Sequence, residues 1–147
     1  MNRRDFLKTT VYAGAVVLGA RTAAAQASPA ERVRVAVMGT GGRGASLMQT
    51  AAGLPNVEVA AVCDVDARAM DRAAEAVNKK TGKTPKKEKD LRRILEDKGI
   101  DGVICAAPDH WHAPAALMTM QAGKAIYVEK PCSHNPREGE MLVEASA

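Results

Sequence analysis

The feature that most constrains this chain is a glycine-rich segment, Gly39-Thr40-Gly41-Gly42-Arg43-Gly44, set directly after the apolar run Val33 to Met38 and opening onto a helical pattern from Gly42 to Ala52. A G-x-G-x-x-G spacing at a strand-to-helix junction has a steric logic. Gly39 allows a tight turn, Gly41 lets an anionic group approach the backbone, and Gly44 lets the helix pack close on the strand, while the helix N-terminus attracts negative charge. Asp64, 20 residues beyond Gly44, ends a second apolar run, Val57 to Cys63. An acidic side chain there accepts hydrogen bonds from adenosine ribose hydroxyls and repels a 2′-phosphate, so the dinucleotide expected is NAD rather than NADP. Taken alone, the same residues read only as a Gly-rich turn and a capping Asp; strand, loop, helix and acid together favour the dinucleotide.

The rest of the chain repeats the pattern. Val103 to Ala107 and Ala125 to Val128 are further strand candidates, and these continuous apolar runs imply strands buried on both faces. Between them Ala67 to Lys79, Glu88 to Lys98 and Ala113 to Gln121 read as helices, the middle one through Leu91, Ile94 and Leu95, with Gly99 and Gly123 at C-cap positions. Strand alternating with helix predicts parallel strands joined by right-handed crossovers: an α/β fold with a Rossmann-type doubly wound parallel sheet. One further strand is needed between the second and third helices, and only the polar stretch Thr84 to Lys86 is available, as a short solvated edge. Asn135, Pro136 and Glu138 form an N-cap, a proline at the first helical position and an acid three residues after the cap, so a last helix begins there. It reaches Ala147 without a stop signal, and the chain is expected to be truncated inside this element.

Two segments fall where open α/β sheets bind ligands, at the carboxyl ends of strands. Pro108-Asp109-His110-Trp111-His112 follows the fourth strand. Histidine exchanges protons near neutrality and tryptophan offers a flat amphipathic wall, but Asp109 is equally suited to cap the next helix, and His110 and His112 to satisfied structural roles. Glu129-Lys130-Pro131 follows the fifth strand. A cationic nicotinamide ring beside Lys130 would destabilise its ammonium and favour proton transfer; the alternative is an ordinary surface lysine paired with Glu129. Zinc would need ligands that these histidines do not complete, and no metal is expected.

Charge and cysteines narrow the partners. The net charge is +4, but Arg3, Arg4, Lys8 and Arg21 against Asp5 lie in the first 21 residues; without them 17 bases face 16 acids, which removes the electrostatic case for nucleic acid. Lys79 to Arg93 holds eight bases against Glu88 and Asp90 with no aromatic residue to stack on a base, which favours a solvated face over a polyanion contact. Cys63, Cys105 and Cys132 match no zinc or C-x-x-C spacing and are expected as small hydrophobes. Residues 1–27 read as an export signal and linker: Asn2 to Lys8 positive, about a dozen apolar residues, then A-x-A small residues near Ala25. The apolar run is too short to span a bilayer of about 30 Å, so no stable membrane span is expected after processing, a short anchor being the alternative. Arg3-Arg4 followed by Asp5, Phe6, Leu7 and Lys8 resembles the twin-arginine signal, with Asn2 in place of Ser or Thr, which implies export to the periplasm.

The glycine loop, PDHWH and EKP, in this order and spacing, resemble the glucose-fructose oxidoreductase, inositol dehydrogenase and MocA (Gfo/Idh/MocA) family over residues 32–147. The resemblance implies an NAD(P)-binding Rossmann domain, incomplete at its C-terminus and truncated before a second, substrate-binding α/β domain, with NAD as cofactor. Its cofactor contacts would be Gly39, Gly41, Gly42, Arg43, Gly44, Asp64, Pro108, Asp109, His112, Glu129 and Lys130. Lys130, the lysine of EKP, would lie beside the nicotinamide and the reacting carbon as the catalytic residue. His112 matches the histidine ending the family's P-N-x-x-H pattern, with Asp109 where the family has Asn. The implied activity is hydride transfer between a sugar or cyclitol hydroxyl and NAD, in a protein expected to be a homo-oligomer at full length. Two other readings stand beside it: an NAD-dependent glycosidase acting by transient oxidation and elimination, and a non-catalytic NAD-binding module.

Overall fold

The computed structural model describes residues 32–147; the export-signal reading of residues 1–27 lies outside them. The elements are β1 (Val33–Met38), α1 (Gly42–Ala51), β2 (Val57–Cys63), α2 (Ala67–Thr81), β3 (Lys86–Glu88), α3 (Leu91–Leu95), β4 (Gly102–Cys105), a single 3-10 turn (Asp109–Trp111), α4 (His112–Gln121), β5 (Ala125–Val128) and α5 (Pro136–Ser146). All strand pairings are parallel and the order is β3-β2-β1-β4-β5. The chain therefore runs outward from β1 to β3, returns to β4 on the other side of β1, and leaves a crevice above the carboxyl ends of β1 and β4. This is the doubly wound α/β fold expected, with its topological switch point between those two strands.

Side chains that alternate along the central strands build two cores. Val35 and Val37 of β1, with Val59 and Val62 of β2, pack against Met48 of α1 and Met70, Ala73 and Val77 of α2. Ala36, Ala61, Cys63, Val103 and Cys105 face the other layer, against Leu91 and Ile94 of α3 and Ala115 of α4. Within the β1/β2 pairing, Val35 pairs with Val59 and Ala36 with Ala61, so Ala60 is an extra residue that keeps both faces in phase. α5 packs on α4.

Several expectations need correction. The polar edge strand is Lys86–Glu88 rather than 84–86, set by backbone pairing of Lys86 with Ala61 and Glu88 with Cys63. The helix expected over 88–98 is only Leu91–Leu95, because Asp90 adopts extended backbone and caps it by accepting the Arg92 N–H. Gly99 is thus no C-cap: it lies in the turn before β4, where its carbonyl accepts from Arg34 Nη1 at 2.8 Å and a Cβ would strike that guanidinium. The left-handed caps are Gly82 after α2 and Gly123 after α4, with φ of +74° and +69°. β5 is not buried on both faces, since Ala125 and Tyr127 are exposed on the sheet edge. Among the described residues no helix is long and apolar enough to cross a membrane.

Candidate functional site

The glycine loop forms because each glycine meets a different demand. Gly39 ends β1 at φ +80°, and a Cβ there would lie 2.5 Å from the Ala107 nitrogen at the end of β4, so only glycine fits both the conformation and the neighbour. At Gly44 a Cβ would run into the Gly39 carbonyl, which shows how closely α1 sits on the loop. Gly41 differs: a Cβ there meets nothing within 4 Å, and the backbone faces open space. No side chain caps the N-terminus of α1 at Gly41, and its first turn contains no acid. Uncapped N–H groups beside bare backbone fit a pyrophosphate.

Asp64 leaves β2 at one side of this loop. Its Oδ2 accepts the Thr40 backbone N–H at 2.7 Å and the Thr40 hydroxyl at 3.0 Å, and its Oδ1 accepts the Asp66 N–H at 3.0 Å. Burial opposes the charge, but the N–H of Asp66 and the two donors of Thr40 outweigh it and hold the carboxyl below its ordinary range. Asp64 is therefore an anion at neutral pH, and three hydrogen bonds leave a carboxylate with acceptor capacity for ribose hydroxyls. It lines an apolar cleft of about 790 Å³ together with Gly39, Val65, Leu91, Pro108 and Trp111. Val65 and Trp111 are exposed at its mouth, 84% and 45% accessible. A flat apolar cleft ending on an acid suits an adenosine.

On the other side of the loop a second cleft, about 550 Å³, is lined by Arg43, Ala107, Asp109, His112, Glu129 and Lys130. Arg43 reaches from α1 to Glu129 beyond β5, Nε to Oε1 2.8 Å, and the Tyr127 hydroxyl donates to the same oxygen at 3.2 Å. The Arg43 hydrogen bond, opposed by partial burial, holds the Glu129 carboxyl below its ordinary range. Glu129 is thus Arg43's partner rather than that of Lys130. Among the described residues the exposed Lys130 ammonium makes no hydrogen bond or ion pair, which frees it for a ligand. The Lys130–Pro131 peptide is cis.

The segment 108–112 straddles both clefts, Pro108 facing the Asp64 side and Asp109 and His112 the Lys130 side. Asp109 does not cap α4. Its carboxylate accepts the His110 N–H at 3.0 Å and lies 3.9 Å from the His110 ring and 3.8 Å from His134. His112 is buried, with Nδ1 2.6 Å from the Pro131 carbonyl and Nε2 2.8 Å from the Ala107 carbonyl. Sequence reasoning missed Thr40, which is buried and orients Asp64, and the two carbonyls around His112. The first is a middle residue of the glycine motif that the motif leaves free; the others are backbone atoms, which leave no trace in side-chain patterns.

Cys63 and Cys105 are buried at strand ends, and burial pushes the Cys63 thiol up to about 12, which makes it inert; Cys132 is exposed. Four of the eight bases between 79 and 93 are ion-paired: Lys79 with Glu75, Lys83 with Glu58, Lys87 with Asp71 and Arg92 with Asp90. Among the described residues no three His, Cys, Asp or Glu side chains gather as metal ligands.

Two clefts flanking one glycine loop, an acid in the first and a free lysine in the second, define a dinucleotide-binding Rossmann domain. Residues 33–147 match the family described as "Oxidoreductase family, NAD-binding Rossmann fold", and the chain belongs to this Gfo/Idh/MocA family. A Glycosyl hydrolase family 109 protein of Stenotrophomonas maltophilia (strain K279a) is 40% identical over 136 residues, 88% of this chain and 29% of its own length. An alpha-N-acetylgalactosaminidase of Shewanella oneidensis is 32% identical over 172 residues, 99% of this chain and 37% of its own. Among solved structures, myo-inositol dehydrogenase from Lactobacillus casei in complex with NAD(H) and myo-inositol superposes with a TM-score of 0.69 at 28% identity, covering 78% of this chain and 33% of that one. GenD2 from gentamicin A biosynthesis, in complex with NAD, gives 0.70 at 28% identity, over 79% and 32%. The chain thus spans about a third of the length of these relatives.

Proposed function

We propose that residues 32–147 form the NAD half of an exported sugar or cyclitol dehydrogenase, with Lys130 as its one catalytic group in this chain. The observation that carries this reading is the placement of Asp64 and the unpaired Lys130 on opposite sides of one glycine loop. NAD, when bound, supplies the acceptor for a hydride. In the oxidation, hydride leaves the carbinol carbon with its bonding electron pair, the hydroxyl proton passes to a base, and a ketone remains. Asp64 would hold the adenosine ribose, the N-terminus of α1 the phosphates, and Lys130 the oxygen on which negative charge develops. The substrate wall, and the groups completing proton transfer, belong to the proposed second domain, and association of full-length copies to the same proposal. Export by the twin-arginine route fits a protein that folds around a cofactor before transport.

The Glycosyl hydrolase family 109 relatives favour a second reading at the same site. There the first ketone acidifies the neighbouring C–H. Loss of that proton expels the aglycone, water adds to the double bond, and hydride returns to the sugar, so hydrolysis consumes no net NAD. Incubation of the protein bearing its second domain with cyclitols, sugars and aryl glycosides, followed by NADH absorbance and released aglycone, tests the proposal. NADH accumulating in proportion to substrate supports the dehydrogenase, aglycone release with constant NAD supports the glycosidase, and neither product would leave only a binding module.

A further inference from the structure

The ring nitrogens of His112 take no part in holding the dinucleotide or the reacting oxygen, yet both are fixed by close contacts. His112 opens α4, is 3% exposed, and places each ring nitrogen within 2.8 Å of a backbone carbonyl oxygen, Pro131 on one side and Ala107 on the other. A carbonyl only accepts, and a neutral imidazole has a single N–H. One contact would then set a nitrogen lone pair against an oxygen lone pair, in a buried place where an unmade hydrogen bond costs most. Turning the ring over relieves nothing, because carbon atoms would face both carbonyls. Only the doubly protonated ring satisfies both, with two charge-assisted N–H···O bonds.

The two carbonyls belong to the segments that form the site. Ala107 follows β4, and Pro131 is bonded directly to Lys130. We propose that His112 is a positioning residue held as an imidazolium at neutral pH, a two-armed strut that ties the end of β4 to the Lys130 segment and sets where the Lys130 side chain starts. The charged groups lining the surrounding cleft are Arg43 and Glu129, which pair with each other, Asp109, and Lys130 itself; His110 and His134 lie against Asp109, and α5, packed on α4, carries Arg137, Glu138, Glu140 and Glu144, with Arg137 paired to Glu140. The positive end of α4 opposes a cation at this position, and the two carbonyl dipoles are what offset it. Loss of either ring proton removes one arm, and the Lys130 segment then loosens. The functional consequence rests on the reading of Lys130 above, whereas the protonation state does not.

The test is nitrogen NMR on the 147-residue chain labelled with 15N-histidine and 13C-carbonyl. The sequence has three histidines, so loss of one ring signal in His112→Gln assigns it. The expectation is that at neutral pH both His112 nitrogens resonate as protonated, while on raising the pH the Pro131 or Ala107 carbonyl and the Lys130 amide shift along the same titration curve. A ring with one bare nitrogen at neutral pH, or a titration that leaves those carbonyls unmoved, would overturn the strut. The wild-type titration stands even where a variant folds poorly. In the protein with its second domain, His112→Gln should lower kcat about tenfold with little change in NAD affinity, a split expected of a residue that acts through Lys130. Should Lys130→Met leave turnover intact while His112 shows both protons, the strut stands and the catalytic reading of Lys130 falls.

Discussion

Thr40 and Asp64 are joined twice: one carboxylate oxygen accepts both the backbone N–H and the hydroxyl of Thr40, at 2.7 and 3.0 Å. The middle of the glycine loop is thereby locked to the acid that ends β2 before any ribose arrives. Such preorganisation lowers the ordering cost of binding. It also makes loop stability depend on pH. Asp64 titrates below an ordinary aspartate when folded, so its stabilisation is present above about pH 4 and is lost as pH falls through the folded value. Melting temperatures of wild type and Asp64→Asn should therefore differ most near neutrality and converge in acid. A difference that is constant with pH would show that the carboxylate charge is not what the loop uses.

The glycines separate folding from binding. Gly44→Ala drives a methyl into the Gly39 carbonyl and should destabilise the domain by about 1–3 kcal/mol, the usual scale for overpacking. Gly41→Ala meets only open space, so its melting temperature should stay close to wild type while NAD affinity falls, because the methyl occupies the approach to the phosphates. Thermal denaturation and NAD titration of both variants check this, and equal losses of stability would remove the distinction.

Much of this fold was legible in the sequence, for physical reasons that also mark where legibility stops. Val33–Met38 and Val57–Cys63, apolar but for Arg34 and Glu58, and the wholly apolar Ala125–Val128 announce themselves and keep the same limits in the structure, whereas the strand expected over 103–107 is Gly102–Cys105. Lys86–Glu88 has no apolar signature, being held by pairing to Cys63 and its neighbours, and it was displaced by two residues. The third helix was overextended because Leu91, Ile94 and Leu95 give a helical period without showing where Asp90 begins it. At the site, Gly39, Asp64 and Lys130 stood out through motif and strand-end position. The Arg43–Glu129 pairing, 86 residues apart, and the His112–Pro131 contact exist only through the sheet order, which single residues do not encode.

Lys130 carries the chemical part of the proposal. Lys130→Met should reduce turnover by about 10² or more in the protein bearing the proposed second domain, the scale for one acid/base or oxyanion group. NAD affinity should change little, since on the proposed reading phosphates and ribose would be held elsewhere, by the N-terminus of α1 and by Asp64. Steady-state kinetics beside a binding titration separates the two, and lost binding with unchanged chemistry would recast Lys130 as a cofactor-positioning residue.

Export is tested at the other end of the chain. If residues 1–27 are the proposed twin-arginine signal, replacing Arg3 and Arg4 together by lysine should leave the protein in the cytoplasm with that segment uncut, as seen by fractionation and mass of the mature N-terminus. Normal processing of that variant would rule out the twin-arginine route.

The central claim is that this chain is built to hold NAD, with the adenosine ribose on Asp64. Calorimetric titration of the 147-residue chain with NAD and then with NADP measures it directly. The account predicts NAD binding about tenfold or more tighter, since a 2′-phosphate would meet the Asp64 carboxylate, and a preference that shrinks in Asp64→Ala. Equal affinity for the two dinucleotides, or no binding of either by the folded chain, would contradict it.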